Sequence, residues 1–319
     1  MPEQFPDIPG SPERSSSVSG HVHDPEAGKC QSATRLKVPA LHGQDLAAGD
    51  VVDGCYEIRS RLGKGGMATV YAARDRRLNR EVALKLPSTQ EAAQMLCKEA
   101  EAMAAFDEPG LPTIFSMGEI GDTPYIVMEL IRGQTMGRYL ASQPGQQTDW
   151  RRCAEIVLSL ARTLGVLHAA NLAHRDIKPE NVILAPGDRF VLLDLGILRQ
   201  ERFIAAEVLV SGSPHYMAPE TAMASVQVGE AHLVDIYALG VIAFELLSGR
   251  LPYDHQDSLV VMQMQIREPV PHVGVLVPAI PAELSGLVHE MMCKSPGDRP
   301  SGISEVAERL AYLLRRPPR

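Results

Sequence analysis

The sequence lacks features that mark several classes of protein. It has no excess of basic residues, since 31 Lys and Arg stand against 39 Asp and Glu, and the net charge is −8. A general nucleic-acid-binding surface is therefore not expected. Its five cysteines are an odd number, lie far apart and form no C-x-x-C pair. This spacing argues against a zinc or redox centre and indicates reduced thiols in the cytoplasm.

Segments that would attach the chain to a membrane are also missing. The longest apolar stretch, residues 233–247, contains Asp235 and Glu245 and is short for a helix that spans a bilayer. The N-terminus has no basic region followed by an apolar core, so we expect no signal peptide. Pro2 stands where myristoylation needs a glycine. We therefore expect a cytoplasmic protein without membrane contact.

The sequence does have the material for a globular core. Of its 319 residues, 45% are hydrophobic, which is enough for one large domain or two medium ones. Residues 1–50 are rich in Pro, Ser, Gly and His and show no helical or strand periodicity, so they are predicted to form a disordered tail. From Tyr56 the pattern changes to short strands.

A dense polar stretch, His-Arg-Asp-Ile-Lys-Pro-Glu-Asn at residues 174–181, leads into a pattern typical of a β-hairpin. The apolar runs 182–185 and 190–193 flank the turn signal Pro-Gly-Asp. If these runs pair, Asn181 and Asp194 come to lie side by side at the open end of the hairpin. Amide and carboxylate oxygens are hard ligands that suit Mg²⁺. Asp176 on the preceding loop is left to act as a base.

This segment, with Asp194-Leu195-Gly196 after it, resembles the catalytic loop and metal motif of the protein kinase family. The resemblance implies an α+β fold of two lobes. The small β-rich N-lobe would cover residues 51–130 and the larger helical C-lobe residues 131–316.

The same resemblance implies the roles of the polar side chains. Asp176 would accept the proton of the substrate hydroxyl, and Lys178 would steady the transferring phosphoryl group. Asn181 and Asp194 would hold Mg²⁺, or Mn²⁺ in its place, on the phosphates of ATP.

A glycine-rich stretch lies between two predicted strands at residues 63–71 and reads Gly-Lys-Gly-Gly-Met-Ala-Thr-Val-Tyr. It resembles the loop whose backbone N–H groups approach ATP phosphates, particularly in bacterial serine/threonine kinases of the eukaryotic-like type. In the strand 82–86, Ala83 and Lys85 share one face. That face offers a small apolar contact for adenine beside an ammonium for the α- and β-phosphates. The nucleotide-binding residues implied here are Leu62, Gly63, Lys64, Gly65, Gly66, Val70, Ala83 and Lys85.

The next segment predicts the helix that supplies a glutamate to Lys85. Ser88-Thr89-Gln90-Glu91 has the form of a capping box, so a helix should run from about Thr89 to Phe106. Glu99 lies at the border of its inward stripe, Glu101 points away, and Glu91 is a weaker alternative. We therefore choose Glu99 as the partner of Lys85. The stripe consists of Ala92, Leu96, Ala100 and Met103.

The apolar strand 123–130 resembles the connection between the two kinase lobes. Met128 would then lie beside the adenine as gatekeeper. The backbones of Glu129 and Ile131 would make the hinge hydrogen bonds to the nucleotide, so the identity of their side chains says little about nucleotide choice.

The remainder of the chain is predicted to be helical and to support the catalytic loop. Asp235, in an otherwise apolar helix, is costly to bury unless it is hydrogen-bonded, and the resemblance implies that it anchors the loop. The resemblance also implies that Arg299 pairs with Glu220 of the Ala-Pro-Glu motif. A last helix carries an apolar stripe, and we expect no sensor domain or membrane anchor beyond it. The stripe consists of Ile303, Val306, Leu310 and Leu313.

The segment after Asp194 contains no Ser, Thr or Tyr between Gly196 and Ser211. In many kinases whose catalytic Asp follows an Arg, as Asp176 follows Arg175 here, that arginine captures a phosphorylated hydroxyl in this segment. We hypothesise that Glu207 offers Arg175 a permanent carboxylate, or that the apolar residues 203–210 dock on a partner. Ser211 and Ser213 remain candidate modification sites, and Ser213 favours Ser or Thr as acceptor.

Two functions follow from the resemblance. The first is an active kinase that transfers phosphate from ATP to a protein substrate with a Ser or Thr acceptor. The alternative is a pseudokinase or scaffold that binds nucleotide or partner without turnover, although Lys85, Asp176, Asn181 and Asp194 are all present. Phosphotransfer to a small molecule is disfavoured by the Ala-Pro-Glu motif and the Gly-Ser-Pro segment before it.

Overall fold

A curled sheet precedes a helical lobe in the described part of the chain. This is a computed structural model, and it describes residues 45–142, 145–194 and 214–316. Most of the tail predicted at residues 1–50 lies outside these ranges. Leu46, near their start, already packs against the apolar core of the sheet, and its N–H donates to the hydroxyl of Tyr71.

The N-lobe is built on an antiparallel sheet with the strand order β1-β2-β3-β4-β6-β5. Alternation explains the sheet, because Val82 and Leu84 are fully buried on its core face. The predicted strand at 82–86 is thereby confirmed as the centre of β4. The strands are β1 (Val51–Val52), β2 (Tyr56–Lys64), β3 (Ala68–Asp75), β4 (Arg80–Pro87), β5 (Ile114–Ile120) and β6 (Thr123–Glu129).

Helix α1 (Gln90–Ala104) lies between β4 and β5 in the chain. The inward stripe predicted for it is buried as expected, but the predicted capping box is wrong. Thr89 is the N-cap, and its side chain accepts a hydrogen bond from the N–H of Ala92. Counted from Thr89, the position at which a capping box needs Glu or Gln is Ala92, so Ser88 and Glu91 do not form the box.

The C-lobe is helical and packs around α3 and α5, whose inner residues belong to one large apolar core. The amphipathic pattern around residues 153–167 and the last apolar stripe both appear as buried helix faces. The helices are α2 (Met136–Ser142), α3 (Trp150–Ala169), α4 (Pro219–Ala222), α5 (Ala231–Ser248), α6 (Ser258–Arg267), α7 (Val273–Leu276), α8 (Ala282–Met291) and α9 (Ile303–Arg315).

Helix α5 is apolar on nearly every side. Among the described helices it alone has the length and composition to cross a membrane, a test that the shorter stretch 233–247 did not meet on sequence alone. However, 78% of the helix is buried inside the domain, as is common for the core helix of a globular lobe.

The catalytic loop leads directly into a second, smaller sheet. It has the order β7-β8-β9, with strands β7 (Gln134–Thr135), β8 (Val182–Ala185) and β9 (Arg189–Leu192). Val182 pairs with Leu192 across the hairpin, which confirms the register that brings the residues before β8 close to those after β9.

Candidate active site

Lys85 is a buried ammonium that contacts two carboxylates of the site. It is 7% exposed on β4, and its Nζ lies 3.0 Å from Glu99 Oε1 on α1 and 2.7 Å from Asp194 Oδ1 after β9. Burial alone would lower the pKa of Lys85, but the carboxylates of Asp194 and Glu99 outweigh it and raise that pKa above its ordinary value. The ammonium therefore stays charged. Its partners come from the next helix, 14 residues away, and from the segment after β9, 109 residues away.

The choice of Glu99 agrees with this geometry. Its carboxylate contacts Lys85 through both oxygens, at 3.0 and 3.1 Å, over a separation of 14 residues. The short strand-to-helix connection is accommodated because α1 begins at Gln90, directly after the cap residue. Glu91 lies in the first turn of α1 and Glu101 is exposed.

Asp176 is held on its loop by two neighbours. Lys178 Nζ donates to both of its carboxylate oxygens, at 3.1 and 3.0 Å. Asn181 Nδ2 donates to the same carboxylate at 3.0 Å and to the backbone oxygen of Asp176 at 2.8 Å. The carboxylate is thus fixed in orientation, as a general base must be.

Asp235 fixes the backbone of the catalytic loop, as predicted. It is fully buried on α5, and its carboxylate accepts hydrogen bonds from the backbone N–H groups of His174 at 2.8 Å and Arg175 at 2.7 Å. His168 Nε2 lies 2.8 Å from the same carboxylate. Each hydrogen bond to the buried charge offsets part of the cost of burying it.

The His174 side chain connects the catalytic loop to the chain just before Asp194. Burial lowers its pKa despite the nearby carboxylates of Asp235 and Asp176, so the ring is neutral near pH 7. Its Nε2 lies 2.9 Å from the carbonyl oxygen of Leu193 and therefore donates. Its Nδ1 is then the acceptor of the 3.3 Å contact from the N–H of Asp176.

Asn181 and Asp194 are the residues that fit a metal ion. The backbone N–H of Leu193 donates to the carbonyl of Asn181 at 2.7 Å, so the chain before Asp194 lies directly beside Asn181. Asn181 Oδ1 makes no hydrogen bond to any residue in the described ranges, and an amide and a carboxylate oxygen suit Mg²⁺ or Mn²⁺. No group of three His, Cys, Asp or Glu able to hold a metal occurs in those ranges. Phosphate and water oxygens would have to complete the coordination.

Asp194 lies beside Lys85, which favours the ionised form of its carboxyl group. Burial acts to raise its pKa, but the attraction and hydrogen bond of Lys85 prevail and lower it. Its backbone has a φ of 53°, a left-handed value that is uncommon for a residue other than glycine.

The proposed nucleotide-contacting residues are distributed over the N-lobe sheet and its exit. Ala83 lies opposite Met128 and Val70 opposite Lys85 in adjoining strands. The ammonium of Lys64 is paired with Asp45 at 3.0 Å. Leu62, Gly63 and Lys64 end β2, Gly65 and Gly66 form the turn to β3, Glu129 ends β6, and Ile131 follows it.

Arg189 is a contact that the sequence did not indicate. From β9 its guanidinium donates to the Glu129 carboxylate at 2.8 Å and to the carbonyl of Pro109 at 2.6 Å. The hydrogen bond from Arg189 lowers the pKa of Glu129. The side chain of a predicted hinge residue is thus tied to the C-lobe hairpin. The only signal in the sequence was that Arg189 directly precedes the apolar run 190–193, which does not predict its partner.

An acidic cavity of about 290 Å³ lies beside the catalytic loop. Pro179 and Glu180 line it from the loop and Glu245 from α5. The hydroxyl of Tyr216 donates to Glu245 at 2.6 Å. Burial raises the pKa of Glu245, and the nearby charge of Glu180 acts in the same direction. Two carboxylates in one cavity favour a basic ligand group.

The Ala-Pro-Glu glutamate is anchored as expected. Arg299 donates to both oxygens of the Glu220 carboxylate, at 2.7 and 2.8 Å, and both side chains are buried. The hypotheses on Glu207, residues 203–210, Ser211 and Ser213 fall outside the described residues and stay predictions.

A curled sheet above a helical lobe, with a charged lysine and a positioned carboxylate between them, is the architecture of a phosphotransferase domain. Residues 56–311 match the protein kinase domain family. The chain belongs to that family.

Similarity to individual proteins agrees with this assignment. The chain is 30% identical over 261 residues to the serine/threonine-protein kinase PrkC of Bacillus subtilis, which covers 80% of this chain and 40% of PrkC. It is 30% identical over 285 residues to the serine/threonine-protein kinase PknA of Mycobacterium tuberculosis, covering 85% of this chain and 64% of PknA. It therefore spans less than two thirds of these relatives.

Solved structures show the same fold. The crystal structure of the Mycobacterium tuberculosis PknI kinase domain is 26% identical, with a TM-score of 0.64, and the alignment covers 84% of this chain and 99% of that one.

Proposed function

We propose that this chain is a serine/threonine protein kinase that transfers the γ-phosphoryl group of ATP to protein hydroxyl groups. The observation that carries the proposal is the convergence of Lys85 on Glu99 and Asp194 while Lys178 and Asn181 orient Asp176. An arrangement that only capped a hairpin would have no need to bury an ammonium between two carboxylates.

Asp176 acts on the acceptor. Its carboxylate takes the proton of the substrate hydroxyl as the hydroxyl oxygen bonds to the γ-phosphorus and the bond to the leaving oxygen of ADP breaks. Lys178, at 3.0 Å from Asp176, places a positive charge where the transferring phosphoryl group passes. Positioning and charge neutralisation supply most of the rate in such reactions.

Lys85 acts on the donor. Its ammonium is charged and aimed by Glu99, and it contacts the α- and β-phosphates of ATP. Asn181 and Asp194 would hold the divalent ion, Mg²⁺ or Mn²⁺. When bound, this ion neutralises charge on the phosphates. Asp194 keeps its carboxylate ionised for this task because of Lys85.

A protein acceptor with Ser or Thr is supported by three features. The relatives PrkC and PknA carry the name serine/threonine-protein kinase. Ser213, next to the described Pro214, is of the residue type expected to select such acceptors. The cavity lined by Glu180 and Glu245 suits a basic side chain of a polypeptide. We also propose a cytoplasmic location, which rests on the scattered cysteines.

The test is transfer of labelled phosphate. Purified protein is incubated with labelled ATP, either Mg²⁺ or Mn²⁺, and dephosphorylated casein, and phosphoamino acids are then identified. We expect phosphoserine and phosphothreonine. If the protein binds ATP but phosphorylates neither itself nor casein, with Mg²⁺ or with Mn²⁺, it is a pseudokinase and the proposal fails.

A further inference from the structure

A glutamine is buried in the C-lobe beside the segment that follows Ser213. Gln265 is 0% exposed on the inner side of α6. Gln263, two residues earlier in the same helix, is exposed. A buried amide is unfavourable unless all its polar groups are hydrogen-bonded, and an apolar residue would fill the same space without that cost. The contacts of Gln265 therefore require an explanation.

The NH₂ group and the oxygen of the Gln265 side-chain amide both make hydrogen bonds. Its Nε2 donates to the backbone carbonyl of His215 and, at 3.4 Å, to that of Pro214. Its Oε1 accepts from the hydroxyl of Tyr237 on α5. Its backbone carbonyl accepts from Lys294 Nζ at 2.7 Å. Gln265 thus joins α5 and α6 to residues 214–215.

Two cations lie close to the ring of Tyr237. The guanidinium of Arg299 lies 4.9 Å from the centre of its ring, and Lys294 Nζ lies 5.9 Å from it and 4.3 Å from the ring of Tyr253. Arg299 also anchors Glu220. The stretch 214–220 is therefore held at its end by an ion pair and at its start by the amide of Gln265.

The backbone at residues 214–215 lies at the start of this stretch, and its position affects how the acceptor binds. Pro214 directly follows Ser213, the residue expected to contact the catalytic aspartate and to face the acceptor peptide. A carbonyl fixed at His215 limits the positions of the next residue, Tyr216, which lines the acidic cavity that suits a basic side chain of the acceptor. Small displacements of a positioning element have large effects on transfer rates.

We propose that Gln265 is a positioning residue for the protein acceptor, acting through the backbone of Pro214 and His215, with Tyr237 and Lys294 as its supports. The inference rests on the proposed kinase activity. It concerns the acceptor side alone, because no described contact of Gln265 reaches the residues around Lys85.

The test compares four proteins: wild type, Gln265→Leu, Gln265→Glu and the matched control Gln263→Leu. The leucine variant removes both functions of the amide. The glutamate variant still accepts from Tyr237 but, in its ionised form, cannot donate to the two carbonyls. KM for dephosphorylated casein, KM for ATP, Kd for ATP by calorimetry and the urea midpoint are measured for each.

We expect both Gln265 variants to raise KM for casein by about tenfold or more, the effect of about one lost buried hydrogen bond. The Kd for ATP should change less than about twofold, and Gln263→Leu should match wild type. If Gln265→Leu does not fold, Gln265→Glu and Tyr237→Phe, which removes only a hydroxyl, still test the idea.

Two results would overturn the inference. One is a KM for casein in both Gln265 variants equal to that of Gln263→Leu. The other is an equal loss of casein and ATP affinity, which would show a general structural role. Absence of transfer by the wild type would instead refute the proposed function, so the two failures are distinguishable.

Discussion

Replacing Asp235 by asparagine tests how the catalytic loop is held. The carboxylate accepts three hydrogen bonds, from the N–H groups of His174 and Arg175 and from His168, at 2.7 to 2.8 Å. Asparagine has one acceptor oxygen and turns its NH₂ group towards at least one of these donors. The change removes at least one hydrogen bond to a charge, worth about 1.5 to 3 kcal/mol, and leaves a buried donor unsatisfied. We expect a loss of about 2 to 4 kcal/mol in the free energy of unfolding.

Urea unfolding followed by fluorescence measures this loss, because Trp150 at the start of α3 is the one tryptophan of the chain. The matched control is Asp122→Asn, at an exposed turn between β5 and β6. It should change stability by less than about 0.5 kcal/mol. If Asp235→Asn is no more destabilising than Asp122→Asn, Asp235 does not anchor the loop.

Three further variants test other contacts. Glu99→Gln should lower kcat/KM about a hundredfold, because Lys85 loses the carboxylate that aims it; steady-state kinetics with activity near wild type would contradict this. Arg189→Met should raise KM for ATP about tenfold by removing the hydrogen bonds to Glu129, and an unchanged KM would separate the hinge from this contact. The folded-state pKa of Lys294 is lowered from 10.5 to about 8, mainly by burial. Between pH 8 and 10.5 the unfolded chain keeps a proton that the folded protein has released, so stability relative to Lys294→Met should rise with pH. If the difference between the urea midpoints of wild type and Lys294→Met stays constant across this window, the pKa of Lys294 is not lowered in the folded protein.

Local patterns predicted the parts of the site that lie on regular elements. Period-two alternation placed Lys85 on a strand face, and turn residues fixed the hairpin that brings Asn181 near the chain before Asp194. The cost of burying a lone charge predicted that Asp235 would be hydrogen-bonded. The family resemblance added which groups those charges hold.

Contacts between distant parts of the chain could not be predicted in this way. Arg189 and Glu129 are 60 residues apart, and Gln265 and His215 are 50 apart. Neither residue pair has a periodic signal, since only the packing of whole elements decides which side chains meet. The left-handed backbone of Arg175, with φ of 63°, is likewise imposed by the bonds to Asp235 and not by residue type.

The capping error has a similar origin. Ser88 and Thr89 both suit an N-cap, and the sequence pattern S-x-x-E favoured Ser88. The helix instead begins one residue later because Thr89 bonds the N–H of Ala92. Adjacent capping residues are resolved by how the helix packs, which the local sequence does not contain.

The central claim is that Asp176 is the base of an ATP-dependent transfer to protein hydroxyls. Its most direct test compares wild type with Asp176→Asn in a casein phosphorylation assay with Mg²⁺, alongside calorimetric ATP binding. We predict that the variant binds ATP within about threefold of wild type and loses transfer by about a thousandfold or more. Equal transfer by both proteins, or no transfer by either, would contradict the account.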